Sequence, residues 1–362
     1  MIDRLVDVLF EPTNPLGVGF QAAIGSTLSQ ILARRRAEVL ACDNALATVV
    51  DLLTPLVMHG KHIRPAFAWW AFVALAGEPA DPSALLQMAA SLELMHAGLL
   101  AHDDLIDCSD MRRGVPSTHR AMAALADDEA LGVAGAVIGG AWLMAWAQQA
   151  FDECGLASTP VRAAFNLLRN RVLAGQMADA WAAAGLSLTG TGSTALDMAS
   201  TVAEIDDLKT ASYTVVGPLG LGSLAAGATA EELVAFGVPL GRAFQARDDV
   251  LGMFGQPETT GKPSGDDLLQ GKLTSLVQKA LVMASPSNAE QLRGLIGQRN
   301  AAPQQIDWAR KMIISCGALE SVEQAIANDL SEALDALARA DLTTAGRVGL
   351  AHLATACVNR DR

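Results

Sequence analysis

Residues 92–119 read LELMHAGLLAHDDLIDCSDMRRGVPSTH, and this stretch sets both the fold class and the chemistry. Leu92, Met95, Leu99 and Leu100 recur at helical spacing, which predicts one helix from about Ser83 to Asp107 with an apolar stripe along it. Asp103 and Asp107, four apart, share a face of that helix, while Asp104 points roughly 100° away. Carboxylates at the end of a buried stripe are expensive unless they gain a hydrogen-bonded partner, a raised pKa or a metal ion. Hard oxygen donors with open positions suit magnesium, which is shared between one or two carboxylates and a substrate phosphate. Taken alone, the DDxxD spacing is equally well a solvated helix end, since charged groups ordinarily sit on a wet face. Arg112 and Arg113 follow closely, and a guanidinium is built to hold phosphate oxygens two at a time.

Outward from that helix the pattern stays helical. Residues 1–24 carry the breakers Pro12, Pro15, Gly17 and Gly19 and read as an irregular leading segment. Helical spacing then runs from Ser26 to about Met58, and Pro65 is placed in the first turn of a helix ending near Gly77. The uncharged run Leu131–Phe151 is long enough to span a membrane, yet its Gly and Ala content and closing Gln148 and Gln149 read as a buried core helix, so no integral membrane segment is expected. Val161–Trp181 is helical, and the part after Val277 reads as helices separated by a polar loop near Pro286–Gln305. No alternating strand series and no solenoid repeat occurs. The expected fold class is all-α, organised as one domain over residues 1–362.

Bulk properties narrow the function. The chain has 362 residues, 51% of them hydrophobic, and 26 Lys plus Arg against 39 Asp plus Glu give a net charge of −13. Such a balance argues against nucleic acid as the partner, and a polyanionic substrate needs local basic clusters or metal ions. Cys42, Cys108, Cys154, Cys316 and Cys357 are scattered and odd in number, without CxxC spacing, so neither a disulfide framework nor a zinc site is indicated. The opening MIDRLVDVLF lacks a secretory pattern, and a reducing cytoplasm is the expected location.

A second acidic unit echoes the first. Asp248 and Asp249 end an apolar helix and are followed by Lys262 and Lys272. Gly261, Lys262 and Pro263 fail as a phosphate-binding Walker loop, because Pro263 stands where Ser or Thr is required and no strand precedes it. Two acid-then-base units could hold two or three magnesium ions around a diphosphate. Lys209 within an apolar stretch reads by itself as a snorkelling side chain, and His96 by itself as a satisfied core histidine.

GKHIRP, HDDLIDCSDMRRGVPSTH, LAGQMAD, LKTASY, FQARDDVLGMFG and GKPSGDDLLQGKLT, in this order, resemble the trans-prenyl diphosphate synthases, most closely those of bacterial geranylgeranyl type. The match covers about Met58 to Leu276. The resemblance implies a helical bundle around a deep central cavity, a homodimer, and a magnesium-dependent reaction joining an allylic diphosphate to isopentenyl diphosphate. It implies that Asp103, Asp107 and Asp248 bind magnesium, with Asp104 and Asp249 supporting them. Arg112, Lys209, Thr210, Gln245, Lys262 and Lys272 would hold the allylic diphosphate, and Lys61, Arg64, His96 and Arg113 isopentenyl diphosphate. Two positions depart from the family pattern: Gly252 stands where a third aspartate is common, and Ala141 where many relatives carry Asp.

In this family the fifth and fourth residues before the first aspartate gate the product tunnel; here they are Gly98 and Leu99, and neither is aromatic. Side chains on a helix lean toward its N-terminus, so the wall beneath Asp103 is built from Leu99, Met95 and Leu92. Met95, or Trp142 and Trp146 from a facing helix, would form the floor, giving geranylgeranyl diphosphate; farnesyl and longer products are the alternatives. A terpene cyclase would show an Asn, Ser and Glu metal triad in place of FQARDDVLG, which is not found. A noncatalytic partner subunit would fit Gly252 and Ala141 but not the retained aspartates and basic residues. A helical lipid-binding protein would account for a cavity but not for the two charged units.

Overall fold

The computed structural model describes residues 11–183, 207–256 and 264–360. The fold is all-α, as the sequence predicts, and a two-residue ladder is the sole strand pairing among the described residues. The chain divides into two compact units, one comprising Met1–Asn166, Gly217–Val234 and Arg339–Leu353, the other Leu167–Val216, Ala235–Ala338 and Ala354–Arg362.

The first unit opens with α1 (Val18–Cys42), so the irregular segment expected to reach residue 24 ends earlier. Gly19 is buried inside that helix and serves packing, which a propensity argument counts as a breaker. The expected single helix from Ser26 to Met58 is interrupted at Asp43, whose carboxylate accepts from the Ala45 N–H at 2.8 Å, and the chain restarts as α2 (Ala47–Met58). α3 (Ile63–Ala76) stops at Gly77, whose φ of 78° with ψ of −166° is backbone that glycine adopts readily. α4 (Ser83–Ile106) is the aspartate helix, followed by β1 (Met111–Arg112), β2 (Val115–Pro116), α5 (Thr118–Ala123) and α6 (Glu129–Asp152).

The core of this unit is apolar and tight. Trp69 and Trp70 of α3 are wholly buried, and Phe20 meets Trp69 edge-on at 6.4 Å. Each such side chain contributes about 1.5–3 kcal/mol by leaving water. Small residues set the helix spacing: a Cβ on Gly98 of α4 would lie 2.9 Å from the Gly140 carbonyl oxygen and 3.0 Å from Met144 Cγ, both on α6. α4 and α6 are each long and apolar enough to cross a membrane by length and composition. α4 is largely buried, whereas α6 buries one face and leaves Val133, Val137 and Ile138 exposed, so it is less enclosed than its composition suggests.

Further along come α7 (Thr159–Ala183), a π-helical stretch Asp207–Val216, α8 (Gly217–Ala225) and α9 (Val234–Phe254). The second unit continues through α10 (Asp266–Leu269), α11 (Ser275–Met283), α12 (Pro286–Leu295), α13 (Pro303–Ser315) and α14 (Ala318–Arg339); α15 (Thr344–Val358) follows, its residues up to Leu353 belonging to the first unit. Half of the loop expected over Pro286–Gln305 is α12, because Ser285 caps it and Pro286 occupies its first turn. Within this unit Arg247 of α9 holds Glu323 of α14 at 2.7 Å and the Val358 carbonyl at 2.7 Å. All five cysteines are free thiols.

Candidate functional site

α4 ends where its charge begins. The Ser109 N–H donates to the Asp104 carbonyl at 2.8 Å and the Cys108 N–H to the Leu105 carbonyl at 3.2 Å, a Schellman ending with Cys108 in the left-handed position, φ 55°. The chain then turns back through the β1–β2 hairpin, whose two central residues, Arg113 and Gly114, have φ of 53° and 78°. This is the geometry a two-residue hairpin requires, and it holds a non-glycine residue at a cost of about 1 kcal/mol.

The hairpin sends its two arginines to different partners. Arg112 grips Asp104, with Nε at 2.8 and 3.1 Å from the two carboxylate oxygens and Nη2 on Oδ1 as well, and Nη2 lies 3.8 Å from Asp103. Asp104 is fully buried, whereas its spacing in the sequence places it only about 100° around the helix from Asp103 and does not fix which way it faces. Burial opposes the Arg112 charge, but the Asp104 hydrogen bond and charge, with Asp103 and Asp107 behind them, outweigh it and raise its pKa. Asp103 and Asp107 stay partly exposed, one turn apart.

Arg113 donates to the Leu56 carbonyl at 2.6 Å and to Glu93 Oε1 at 3.3 Å. Glu93, 1% exposed, was not among the residues singled out from the sequence. His62 caps α3 in a left-handed conformation, φ 50°, and places Nδ1 3.4 Å from Glu93 Oε2. Gly60 lets the backbone close over the same carboxylate, since a Cβ there would collide with Glu93 Oε1. Burial by itself would raise the Glu93 pKa; the close approach of His62 and the charges of Arg113 and Arg64 overcome it and hold the carboxyl below its ordinary value. His96, one turn along α4, is pushed well below its ordinary value by burial and then by Arg64, Arg113 and Arg112, so it is neutral at physiological pH. Lys61 is exposed, and its carbonyl accepts from Gln21 Nε2 at 3.0 Å. The sequence-predicted set Arg64, His96 and Arg113 thus forms one electrostatic group, organised around Glu93. A lone charged residue inside LELM, three positions before His96, was the signal available.

The second aspartate pair stands in the other unit, on α9. Asp249 is 4% exposed, and both its oxygens are engaged: Oδ1 accepts from Gln245 Nε2 at 2.7 Å, Oδ2 from the Ser275 N–H at 2.9 Å and Ser275 Oγ at 2.6 Å. Asp248 is more open and lies 2.7 Å from Arg360 Nη2. At Gly252, one turn on, a Cβ would collide with the Asp267 carboxylate, which also lies 3.8 Å from Lys272 Nζ. Asp267 therefore fills the space that a side chain at position 252 would take. The side chains of Lys209 and Thr210, on the stretch Asp207–Val216, lie outside the described residues, as does Lys262 altogether.

Met95 is fully buried two turns before Asp103, about 12 Å along the α4 axis at 1.5 Å per residue. Leu99, between them, is partly exposed. Gly98 is spent on the close approach to α6, and on α6 Trp142 stacks on Trp146 at 5.8 Å.

The donor set fits magnesium by its chemistry. Asp103, Asp107 and Asp248 offer hard carboxylate oxygens and remain partly accessible. No group of three or more His, Cys, Asp or Glu side chains is arranged to hold a metal ion among the described residues.

Residues 47–313 match the family model described as polyprenyl synthetase. The chain is 31% identical to the geranylfarnesyl diphosphate synthase of Aeropyrum pernix, over 77% of this chain and 83% of that one. It is 30% identical to the octaprenyl diphosphate synthase of Escherichia coli K12, over 94% and 98%. Its fold superposes with a TM-score of 0.86 and 32% identity on a geranylgeranyl pyrophosphate synthase from Corynebacterium glutamicum, solved with isoprenyl diphosphate and magnesium, over 94% of this chain and 99% of that one.

Proposed function

Since the chain belongs to the polyprenyl synthetase family, whose relatives here are prenyltransferases, we propose that it condenses an allylic diphosphate with isopentenyl diphosphate to give geranylgeranyl diphosphate. The observation that carries this reading is the splitting of the arginine pair. Arg112 is turned to the aspartates of α4, and Arg113 to Glu93 within the group containing Arg64 and His96. Two anionic groups can thus be received side by side.

The chemistry follows from that division. The allylic carbon–oxygen bond breaks with its electron pair leaving on the diphosphate, and the carbon skeleton is left as a cation. The π electrons of isopentenyl diphosphate form the new carbon–carbon bond to that cation, and the proton released from the adjacent carbon goes to the departed diphosphate. Magnesium, when bound, supplies positive charge to the leaving oxygens. Asp103, Asp107 and Asp248 would hold two or three such ions. Asp104 keeps Arg112 aimed at the leaving group, where fixed positive charge is worth most. Arg113, Arg64 and Lys61 hold the diphosphate of the second substrate, and His96 donates a hydrogen bond to it. Lys209, Thr210, Gln245, Lys262 and Lys272 complete the allylic side, with Asp249 bracing Gln245.

Product length follows from α4. Leu99, partly exposed, is the residue the growing chain passes, and fully buried Met95 is the floor, with Trp142 of α6 as the alternative. The enzyme works as a homodimer in a reducing cytoplasm, a reading supported by the exposed apolar face of α6 and by five free thiols. The test is incubation of the purified protein with magnesium, labelled isopentenyl diphosphate and, separately, dimethylallyl, geranyl and farnesyl diphosphates, followed by sizing of the dephosphorylated alcohols. A twenty-carbon alcohol is expected. A fifteen-carbon or much longer product overturns the length assignment, and no incorporation from any starter overturns the activity.

A further inference from the structure

The two members of the second aspartate pair are held in different ways. Asp249 spends both oxygens on Gln245 and Ser275. The side chain of Asp248 is 39% exposed, and its cationic partner among the described residues is Arg360, with Nη2 2.7 Å from Oδ1. That contact is an ion pair without the alignment of a hydrogen bond, and Arg360 Nη2 is itself buried. The arginine is nonetheless well seated. Its guanidinium carbon lies 4.4 Å above the Phe244 ring, one turn before Asp248 on α9, and its Nε donates to the Cys357 carbonyl at 2.7 Å.

We propose that Arg360 is a counter-cation latch on Asp248: it neutralises the carboxylate while no metal is there and must yield it when metal arrives with diphosphate. The inference rests on the reading of Asp248 as a metal ligand. A guanidinium cannot lose its proton, so its charge beside Asp248 leaves only by movement. Held in place, it opposes a divalent ion at the same oxygens. A diphosphate changes this balance because it offers the guanidinium stronger, paired acceptors than one misaligned carboxylate oxygen. Metal alone therefore binds weakly at Asp248, and metal with diphosphate binds well. The device favours occupation of the site by the two together.

The magnitude follows from the effect of a neighbouring cation on a carboxylate. An adjacent Arg changes proton affinity by about 10- to 1000-fold, and with Asp248 partly open to solvent the low end applies. Removing Arg360 should tighten binding of metal alone by about tenfold.

The experiment is a manganese titration of the full chain, reading free Mn2+ by electron paramagnetic resonance, with and without inorganic pyrophosphate. It compares wild type, Arg360→Gln, Arg360→Lys, Asp248→Asn and the double variant Arg360→Gln/Asp248→Asn. Arg360→Gln should bind Mn2+ about tenfold more tightly, lose that gain when pyrophosphate is present, and lose it again in the double variant; Arg360→Lys should stay near wild type. Phe244→Leu, which keeps the charge but removes its seat, should move in the same direction by less and serves if Arg360→Gln does not fold. Unchanged or weaker Mn2+ binding by Arg360→Gln, with Asp248→Asn still impaired, overturns the latch and leaves Asp248 as a ligand. Unimpaired binding by Asp248→Asn overturns the ligand assignment and the latch with it.

Discussion

Glu93→Gln isolates what a single buried carboxylate does for the basic group around it. In the native chain Glu93 is 1% exposed and faces His62 at 3.4 Å and Arg113 at 3.3 Å, with the Arg64 charge acting on it as well. Removing one partner from a buried ion pair costs about 3–5 kcal/mol, because the other charge is left uncompensated. Gln keeps the shape and an accepting oxygen, and Arg113 retains the Leu56 carbonyl at 2.6 Å, so a loss of about 3 kcal/mol is expected. For a chain this large that is a melting temperature lower by about 6 °C, at about 2 °C per kcal/mol. The sign of the pH dependence is fixed too. The Glu93 carboxyl lies below its ordinary value in the folded chain. Its contribution is therefore complete above the unfolded-state pKa of about 4.3 and disappears as pH falls through the folded value. Thermal melts followed by circular dichroism should show the full gap between wild type and Glu93→Gln at neutral pH and a narrowing gap below about pH 4. In turnover, KM for isopentenyl diphosphate should rise with kcat largely kept. Equal melting temperatures at neutral pH, or a gap that widens in acid, would refute the reasoning.

Asp104→Asn should cost about 3–5 kcal/mol, since Arg112 loses a bidentate buried partner, and the urea midpoint at neutral pH reports it. Met95→Ala should lengthen the product and destabilise by about 2–5 kcal/mol through the cavity it opens; chromatography showing wild-type chain lengths would remove Met95 as the floor. Gly98→Val should lower the melting temperature by forcing α4 and α6 apart, at about 1–3 kcal/mol; an unchanged melt would mean that the helices separate freely. Gly252→Asp restores the common family residue, yet its Cβ collides with Asp267, so stability should fall and Mn2+ affinity should not improve. Tighter Mn2+ binding by a stable variant would show that Asp267 does not stand in for the missing side chain.

Much of this was legible in the sequence because helices write their period into apolar positions. The limits of α4 and the angular offset of Asp104 from Asp103 follow from spacing alone, and Pro65 and Gly77 mark α3 within a residue or two. What spacing conceals is contact between residues far apart in the chain. Asp267 reaches Gly252 across 15 positions and Arg360 reaches Asp248 across 112, with no periodicity linking either pair. Gly19 misled for a related reason, since a glycine chosen for packing looks the same as one chosen to break a helix. Gly98, likewise, is an open gate by its lack of a side chain, but in the structure that lack is what lets α6 come close.

The charge balance ties these observations together. A chain of net charge −13 that is proposed to receive diphosphates pairs the cations assigned to that role internally. Arg112 rests on Asp104, Arg113 on Glu93, Lys272 on Asp267 and Arg360 on Asp248. Within its own unit each pairing offsets the charge of the cation, and each limits how much uncompensated positive charge that part of the chain presents. In the proposed reaction divalent ions make up the deficit. On this view Asp104 and Glu93, buried and fully committed, are permanent braces for their arginines. Asp248, half open and held by one misaligned contact, is the carboxylate able to change partner. The difference in burial between these carboxylates separates the groups that aim the site from the group that would exchange a side-chain cation for a metal ion.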